Sequence, residues 1–167
     1  MEPVISLLLT SVLAAIAVTD WKKMIIPNTF VLFVAAIGIF TLLIKQGPSV
    51  GSRIVGCLAA SIPMIVMNGL INQCFGWGDI KLCASAGLLL GVGGMLLALF
   101  LAVVTGGSYA VYLLVKSREN RKCRIPFGPF LAFGIWTAYE YGEKLTGWYL
   151  NLLEGGWFLC RVFTIKQ

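Results

Sequence analysis

Histidine is absent from this chain of 167 residues, and only seven residues are acidic. Without histidine, Ser-His-Asp and Cys-His catalysis are excluded, as are the H-E-x-x-H metalloproteases. A serine-lysine dyad survives on composition, but no serine is obviously placed for one. The five cysteines, Cys57, Cys74, Cys83, Cys123 and Cys160, form no C-x-x-C pair, so a structural zinc site lacks its donor set. Cys57 and Cys83 fall in apolar runs, where a free cysteine behaves as a small core residue. Charge is scarce as well. Only 12% of residues are charged, against roughly 25% in soluble domains. In contrast, 59% are hydrophobic and the mean hydropathy is +0.90. No long polar insertion interrupts the apolar runs, which recur from Val4 almost to the end. The chain reads as one integral membrane domain over residues 1–167, all-α and polytopic, with no separate soluble domain.

The runs predict about six transmembrane helices. The first is Val4 to Thr19, the second Thr29 to Ile44, and the third Ile54 to Ile71. The apolar stretch Ile80 to Val115 is too long for one span, and Gly91-Val92-Gly93-Gly94 offers a turn that divides it into the fourth and fifth. The sixth runs from about Phe127 to Tyr141, closing a core of residues 1–141. Residues 142–167 form an interfacial or additional membrane segment: Trp148 to Phe163 is apolar and aromatic but is interrupted by Glu154, Gly155 and Gly156. Glu2 precedes the first run and Lys22 with Lys23 follows it, an inverted charge order for a cleaved signal, so this run is expected to be retained.

The net charge of +6 resides largely in short loops beside the spans, which points to orientation rather than nucleic acid. Lys22 and Lys23 lie an even number of spans from the basic segment Lys116, Arg118, Arg121, Lys122 and Arg124. Both belong on the cytoplasmic side by the positive-inside rule. Lys45 and Arg53, assigned to the loop between the second and third spans, are a weaker contrary signal.

Against this background two acids stand out. Asp20 closes the first run, and Asp79 sits in Gly76-Trp77-Gly78-Asp79 at the mouth of a later one. An ionisable group at or inside a membrane span is costly and marks a functional site by default. The topology gives both the same cytoplasmic depth. With a turn at Gly91, about 18 Å of helix follows Asp79, and about 24 Å precedes Asp20. Each is less than the roughly 30 Å hydrocarbon core. The glycines flanking Trp77 permit close backbone approach or positive φ; equally, Asp79 is placed to serve as a helix N-cap. Asp20 has its own plain alternative, a loop acid balancing Lys22 and Lys23. Lys81 is placed as a substrate contact, an electrostatic neighbour of the carboxylates or a snorkelling cation. Asn68, Asn72 and Gln73 offer polar contacts near Asp79 or between helices.

Two carboxylates without histidine or metal suit water activation. One ionised Asp takes a proton from water while the other, protonated, polarises the scissile carbonyl. Like charges a few ångströms apart cannot both ionise cheaply, so such a pair holds a shared proton. No cofactor and no metal are required.

Three segments in order, Asp20 with Ile26-Pro27-Asn28, then Gly76-Trp77-Gly78-Asp79-Ile80-Lys81-Leu82, then Ile125-Pro126-Phe127-Gly128-Pro129-Phe130-Leu131, resemble the type IV prepilin peptidase family of GxGD aspartyl proteases. The resemblance implies a six-helix bacterial inner-membrane protease with its active site toward the cytoplasm. Its substrates would be prepilins or pseudopilins carrying a short basic leader that ends in glycine, followed by a hydrophobic helix. Asp20 and Asp79 would be the catalytic pair, Gly76 and Gly78 would shape the loop, and Pro126 to Leu131 would serve entry into the last span. Larger members add a segment with paired C-x-x-C motifs and methylate the new amino terminus. This chain has neither those cysteines nor room for that segment between Trp21 and Asn28, so it resembles the short form of tight-adherence pilus systems, and peptidase activity alone is expected. The competing classes are a small proton-coupled transporter with relay carboxylates and a noncatalytic assembly subunit; no internal repeat supports the first.

Overall fold

The computed structural model describes residues 2–45, 47–70, 75–116, 126–142 and 144–145, which are helical and contain no strand. The helices are α1 (Glu2–Lys23), α2 (Asn28–Leu43), α3 (Val50–Leu70), α4 (Trp77–Lys116) and α5 (residues 128–142). Arg118, Arg121, Lys122 and Arg124, the segment from Trp148 to Phe163, and Asn72, Gln73, Cys74, Cys123 and Cys160 lie outside the described residues.

In lipid every backbone polar group must be satisfied within the protein, which makes long apolar runs helical. Among the described residues, three helices are long and apolar enough to cross a membrane: Pro3–Lys23, Val50–Leu70 and Trp77–Lys116. Asn28–Leu43 is apolar but shorter. The outer faces are apolar too, with Leu7, Leu32, Phe100 and Val111 all well exposed, which fits lipid as the surrounding solvent. Inside, Leu9, Ile16, Leu82, Met95, Leu131 and Ile135 are fully buried.

The fourth run breaks at Gly91, whose φ of 68° and ψ of −175° are non-helical, a conformation essentially restricted to glycine. The break falls within the glycine cluster expected to turn the chain. Packing partners show that it reverses direction. Residues of α3 meet the first arm in opposite order: Ser61 faces Ile80, Cys57 faces Ala84, and Gly56 faces Gly87 and Gly91. The second arm likewise runs antiparallel to α5, Gly106 meeting Phe130 and Ala98 meeting Gly134. Two adjacent residues of α3 serve the broken ends. Ser52 Oγ accepts the N–H of Val92 at 3.2 Å, and Arg53 Nη1 donates to the carbonyl of Leu88 at 2.8 Å. Together they satisfy an amide that opens one helix and a carbonyl that closes the other.

Arg53 therefore corrects the expectation that it is a loop charge. It lies inside α3 and is 2% exposed. Its guanidinium also donates to the carbonyls of Pro48 and Gly38 and to Thr41 Oγ1, at 2.9–3.0 Å. A cation surrounded by carbonyls in this way satisfies helix ends and says nothing about which loop faces the cytoplasm.

Candidate active site

Asp20 is not a loop residue. Helix α1 continues through it to Lys23, and the chain leaves at Met24, whose positive φ of 52° closes the end while its N–H donates to the Asp20 carbonyl at 2.8 Å. The Asp20 side chain is only 5% exposed. Its Oδ2 accepts a hydrogen bond from the backbone N–H of Gly128 at 2.9 Å. Gly128 opens α5 between Pro126 and Pro129, and a Cβ there would fall 2.6 Å from Asp20 Oδ2. The carboxylate thus occupies the space a larger residue at position 128 would fill.

Asp79 is 7% exposed and belongs to the first turn of α4. It is not the N-cap. Gly76 holds that place, its carbonyl accepting the N–H groups of Asp79 and Ile80 at 3.1 and 3.3 Å. Asp79 Oδ2 reaches back to accept the Gly76 N–H at 3.2 Å, the return half of a capping box. That bond holds the side chain by one oxygen. Asp79 Oδ1 is buried and has no hydrogen-bond partner among the described residues, an arrangement costly for a purely structural acid.

Each glycine of the motif permits a close approach. A Cβ on Gly76 would lie 3.1 Å from Asp79 Oδ2, and one on Gly78 would lie 2.9 Å from Ile26 Cβ. Buried Ile26 follows Asp20 in the turn to α2, so this second contact brings the two aspartate-bearing segments together. Asn68 clamps the approach to Gly76: its Nδ2 donates to the Phe75 carbonyl at 2.9 Å, and its Oδ1 accepts the Phe75 N–H at 2.7 Å. The Phe75 ring then meets Phe127 edge-on at 5.6 Å between centroids, joining the Asp79 loop to the entry of α5. These contacts place Asp20 and Asp79 at the same end of the bundle.

Lys81 is exposed and its Nζ donates to Asn28 Oδ1 at 3.2 Å, tying α4 to the start of α2. Cys83 is a core residue, its thiol donating to the Met64 sulfur, whereas Cys57 is half-buried and donates to the Ala84 carbonyl. Among the described residues, no group of three or more His, Cys, Asp or Glu is placed to hold a metal ion. Sequence reasoning missed Gly128 as the partner of Asp20; the available signal was a glycine held between two prolines at the entry to a span.

The type IV leader peptidase family model matches residues 7–111, more than half of the chain and both aspartates. The chain belongs to the type IV leader peptidase family. Among curated proteins of that kind, it is 31% identical over 145 residues to a prepilin leader peptidase/N-methyltransferase of Bacillus subtilis (strain 168), covering 87% of this chain and 58% of the relative. It is 29% identical over 153 residues to one of Aeromonas salmonicida (strain A449), covering 89% and 53%. A third, from Aeromonas hydrophila, is 30% identical over 151 residues, covering 87% and 52%. The chain thus spans about half the length of the leader peptidases it matches. No solved structure matches it.

Proposed function

We propose that this membrane protein is an aspartyl endopeptidase that removes the short leader of type IV prepilins or pseudopilins at the cytoplasmic face of the bacterial inner membrane. The observation that carries the proposal is the burial of Asp20 and Asp79 on segments joined where Gly78 packs against Ile26, at one end of a largely apolar bundle. Each is held by one oxygen on a glycine amide, leaving the other oxygen for chemistry.

In the reaction, one carboxylate accepts a proton from water as the water oxygen bonds to the scissile carbonyl carbon. The second, protonated, donates to the carbonyl oxygen and stabilises the developing negative charge. Collapse of the tetrahedral intermediate breaks the C–N bond: the first carboxyl passes its proton to the leaving amine while the second carboxylate takes one back from a hydroxyl of the intermediate as the carbonyl re-forms. The pair ends as it began, with one proton shared. Neither metal nor cofactor enters the scheme, and the proposal is confined to hydrolysis.

Six membrane crossings are part of the proposal, counting the two arms of α4 separately. The alternating directions of the helical segments support it. The cytoplasmic orientation is supported by Lys22, Lys23 and Lys116. Lys116 ends the second arm, whose Tyr109 meets Trp21, the neighbour of Asp20, at 6.0 Å, so these cations share the end that carries the aspartates. Reassigning Arg53 to the interior removes half of the contrary charge.

The test is cleavage in proteoliposomes of a prepilin-like substrate with a basic, glycine-ended leader. Wild-type protein is expected to release the leader. No cleavage of several such substrates by folded protein refutes the proposal, and proton-dependent uptake without cleavage would establish the transporter class instead.

A further inference from the structure

We infer that the hydrophobic helix of the substrate docks in a cleft on the membrane-facing side of α1 and α5. This inference rests on the proposed peptidase function and identifies where the substrate lies during cleavage. The cleft has a volume of about 210 Å³ and an almost wholly apolar lining that includes Ala14 and Ala17 of α1 and Pro129, Ala132, Phe133 and Trp136 of α5.

Continuity with the carboxylates separates this cleft from the rest of the apolar surface. Ala17 lies three residues before Asp20 on α1. Pro129 directly follows Gly128, whose N–H holds Asp20. Both walls therefore start at the same carboxylate and run from it into the apolar body of the bundle. The α1 wall reaches back to Thr10, which at 1.5 Å per residue is about 15 Å, the length of roughly ten helical residues. A much larger cavity of about 950 Å³ opens toward the other end of the bundle, lined by residues such as Ser6, Pro48 and Gly142 and sharing Thr10 and Ala14 with the cleft. Its lining on α1 stops at Ala14, about 9 Å short of Asp20, whereas the cleft continues to Ala17 and Pro129 beside the carboxylate.

The cleft also has a shape that suits a helix. Ala14, Ala17 and Ala132 have small side chains, which let a neighbouring helix approach its partner's backbone closely. Phe133 and Trp136, with ring centroids 6.4 Å apart, form a broad aromatic wall on one side. A hydrophobic helix lying here ends beside Asp20. The extended leader that precedes it then continues past Gly128 toward Asp79, which puts the scissile bond between the two acids. Contacts in such a cleft are apolar and follow the shape of a helix rather than particular side chains.

The test uses photo-crosslinking in proteoliposomes. A p-benzoylphenylalanine replaces Ala14 or Phe133 in the Asp79→Asn protein, with Leu32 on α2 and Val103 on the second arm as equally lipid-exposed controls. The probe is a prepilin-like peptide with a basic, glycine-ended leader and a hydrophobic helix of about 20 residues. Adducts with the probe are expected at positions 14 and 133, at least tenfold above those at 32 and 103. Equal yields at all four positions, adducts with lipid only, or adducts with a second copy of this chain would overturn the assignment. Kinetics provide a second readout on otherwise native protein. Ala17→Phe, which fills the cleft, is expected to raise KM for the helical substrate at least tenfold, whereas Leu32→Phe leaves it unchanged; an unchanged KM for Ala17→Phe also overturns the inference. Cleavage by wild type without adducts in the cleft would reject the docking site alone, while absence of cleavage would reject the peptidase reading itself.

Discussion

Replacing Gly128 with alanine tests whether Asp20 is held in a working position. Gly128 is outside the positive-φ region, so alanine introduces no backbone strain and the perturbation is steric. The new methyl would stand 2.6 Å from Asp20 Oδ2 and 2.8 Å from Cγ, where ordinary contact begins at 3.4 Å. Relief requires the carboxylate to move by about 1 Å, and misplacement of that size costs a reaction about 10²-fold in rate. The 2.9 Å bond from the Gly128 N–H would be stretched or lost with it. Crowding of a packed interior costs about 1–3 kcal/mol, which lowers stability without abolishing the fold. The expected result in a proteoliposome cleavage assay is a fall in kcat of about 10²-fold with KM changed much less, because most of the cleft proposed for the hydrophobic helix lies away from Gly128, along Thr10 to Ala17 and Ala132 to Trp136. Gly107→Ala is the control, since a Cβ there meets nothing within 4 Å. Activity of Gly128→Ala within threefold of wild type would refute the argument, as would an equal loss in the control.

Asp20→Asn and Asp79→Asn should each abolish leader cleavage while leaving folded protein in the membrane, because the isostere removes charge with little change in volume; near-normal cleavage by either removes that residue from the mechanism. Gly91→Ala combines a φ of 68° with a Cβ placed 2.8 Å from Pro48 Cβ and Ser52 Oγ. It should destabilise the protein by at least about 1–3 kcal/mol, and an unchanged thermal midpoint in detergent would contradict that. Arg53→Met removes the guanidinium that donates to the carbonyls of Pro48 and Leu88 and shares the Gly38 carbonyl with the Thr41 hydroxyl. A loss of about 3 kcal/mol is expected, measured by thermal unfolding, whereas a loop arginine would be neutral.

The parts of this protein that were legible in its sequence are those in which a residue conflicts with its surroundings. Asp20 and Asp79 conflict with apolar neighbours, and the glycines after Leu90 conflict with continued helix. Each conflict has few physical resolutions, so composition alone locates the pair and the turn. Arg53 conflicts equally with α3, but counting charges near span ends treats it as solvated. Its actual resolution, a guanidinium folded back among carbonyls from α2, the loop and α4, depends on three segments meeting. The bond from Gly128 to Asp20 is similarly hidden. It joins the last described helix to the first, and no local period or spacing encodes such a contact. The capping role of Gly76 was obscured for a smaller reason: an aspartate at a helix start reads as the cap itself, whereas here it sits three residues further on and returns the bond.

The first arm of α4 explains why the chain invests so much polar bonding away from the aspartates. Asp79 rides on a short helix, and its position is set by whatever fixes that helix at both ends. At one end Asn68 clamps Phe75, and Gly76 and Asp79 cap each other. At the other, Ser52 and Arg53 bond the residues on either side of Gly91. Because a helix turns by about 100° per residue, a shift of the break by a single position would swing Asp79 away from Asp20 even with every local bond at Gly76 intact. Apolar packing in lipid resists such sliding weakly, since association there lacks the hydrophobic driving force available in water. Directional bonds from α3 supply the register that packing does not. The buried arginine at the far end of the bundle therefore belongs to the same design as the glycine beside each carboxylate: one sets the rotation of the helix carrying Asp79, and the others set the direction in which each acid points.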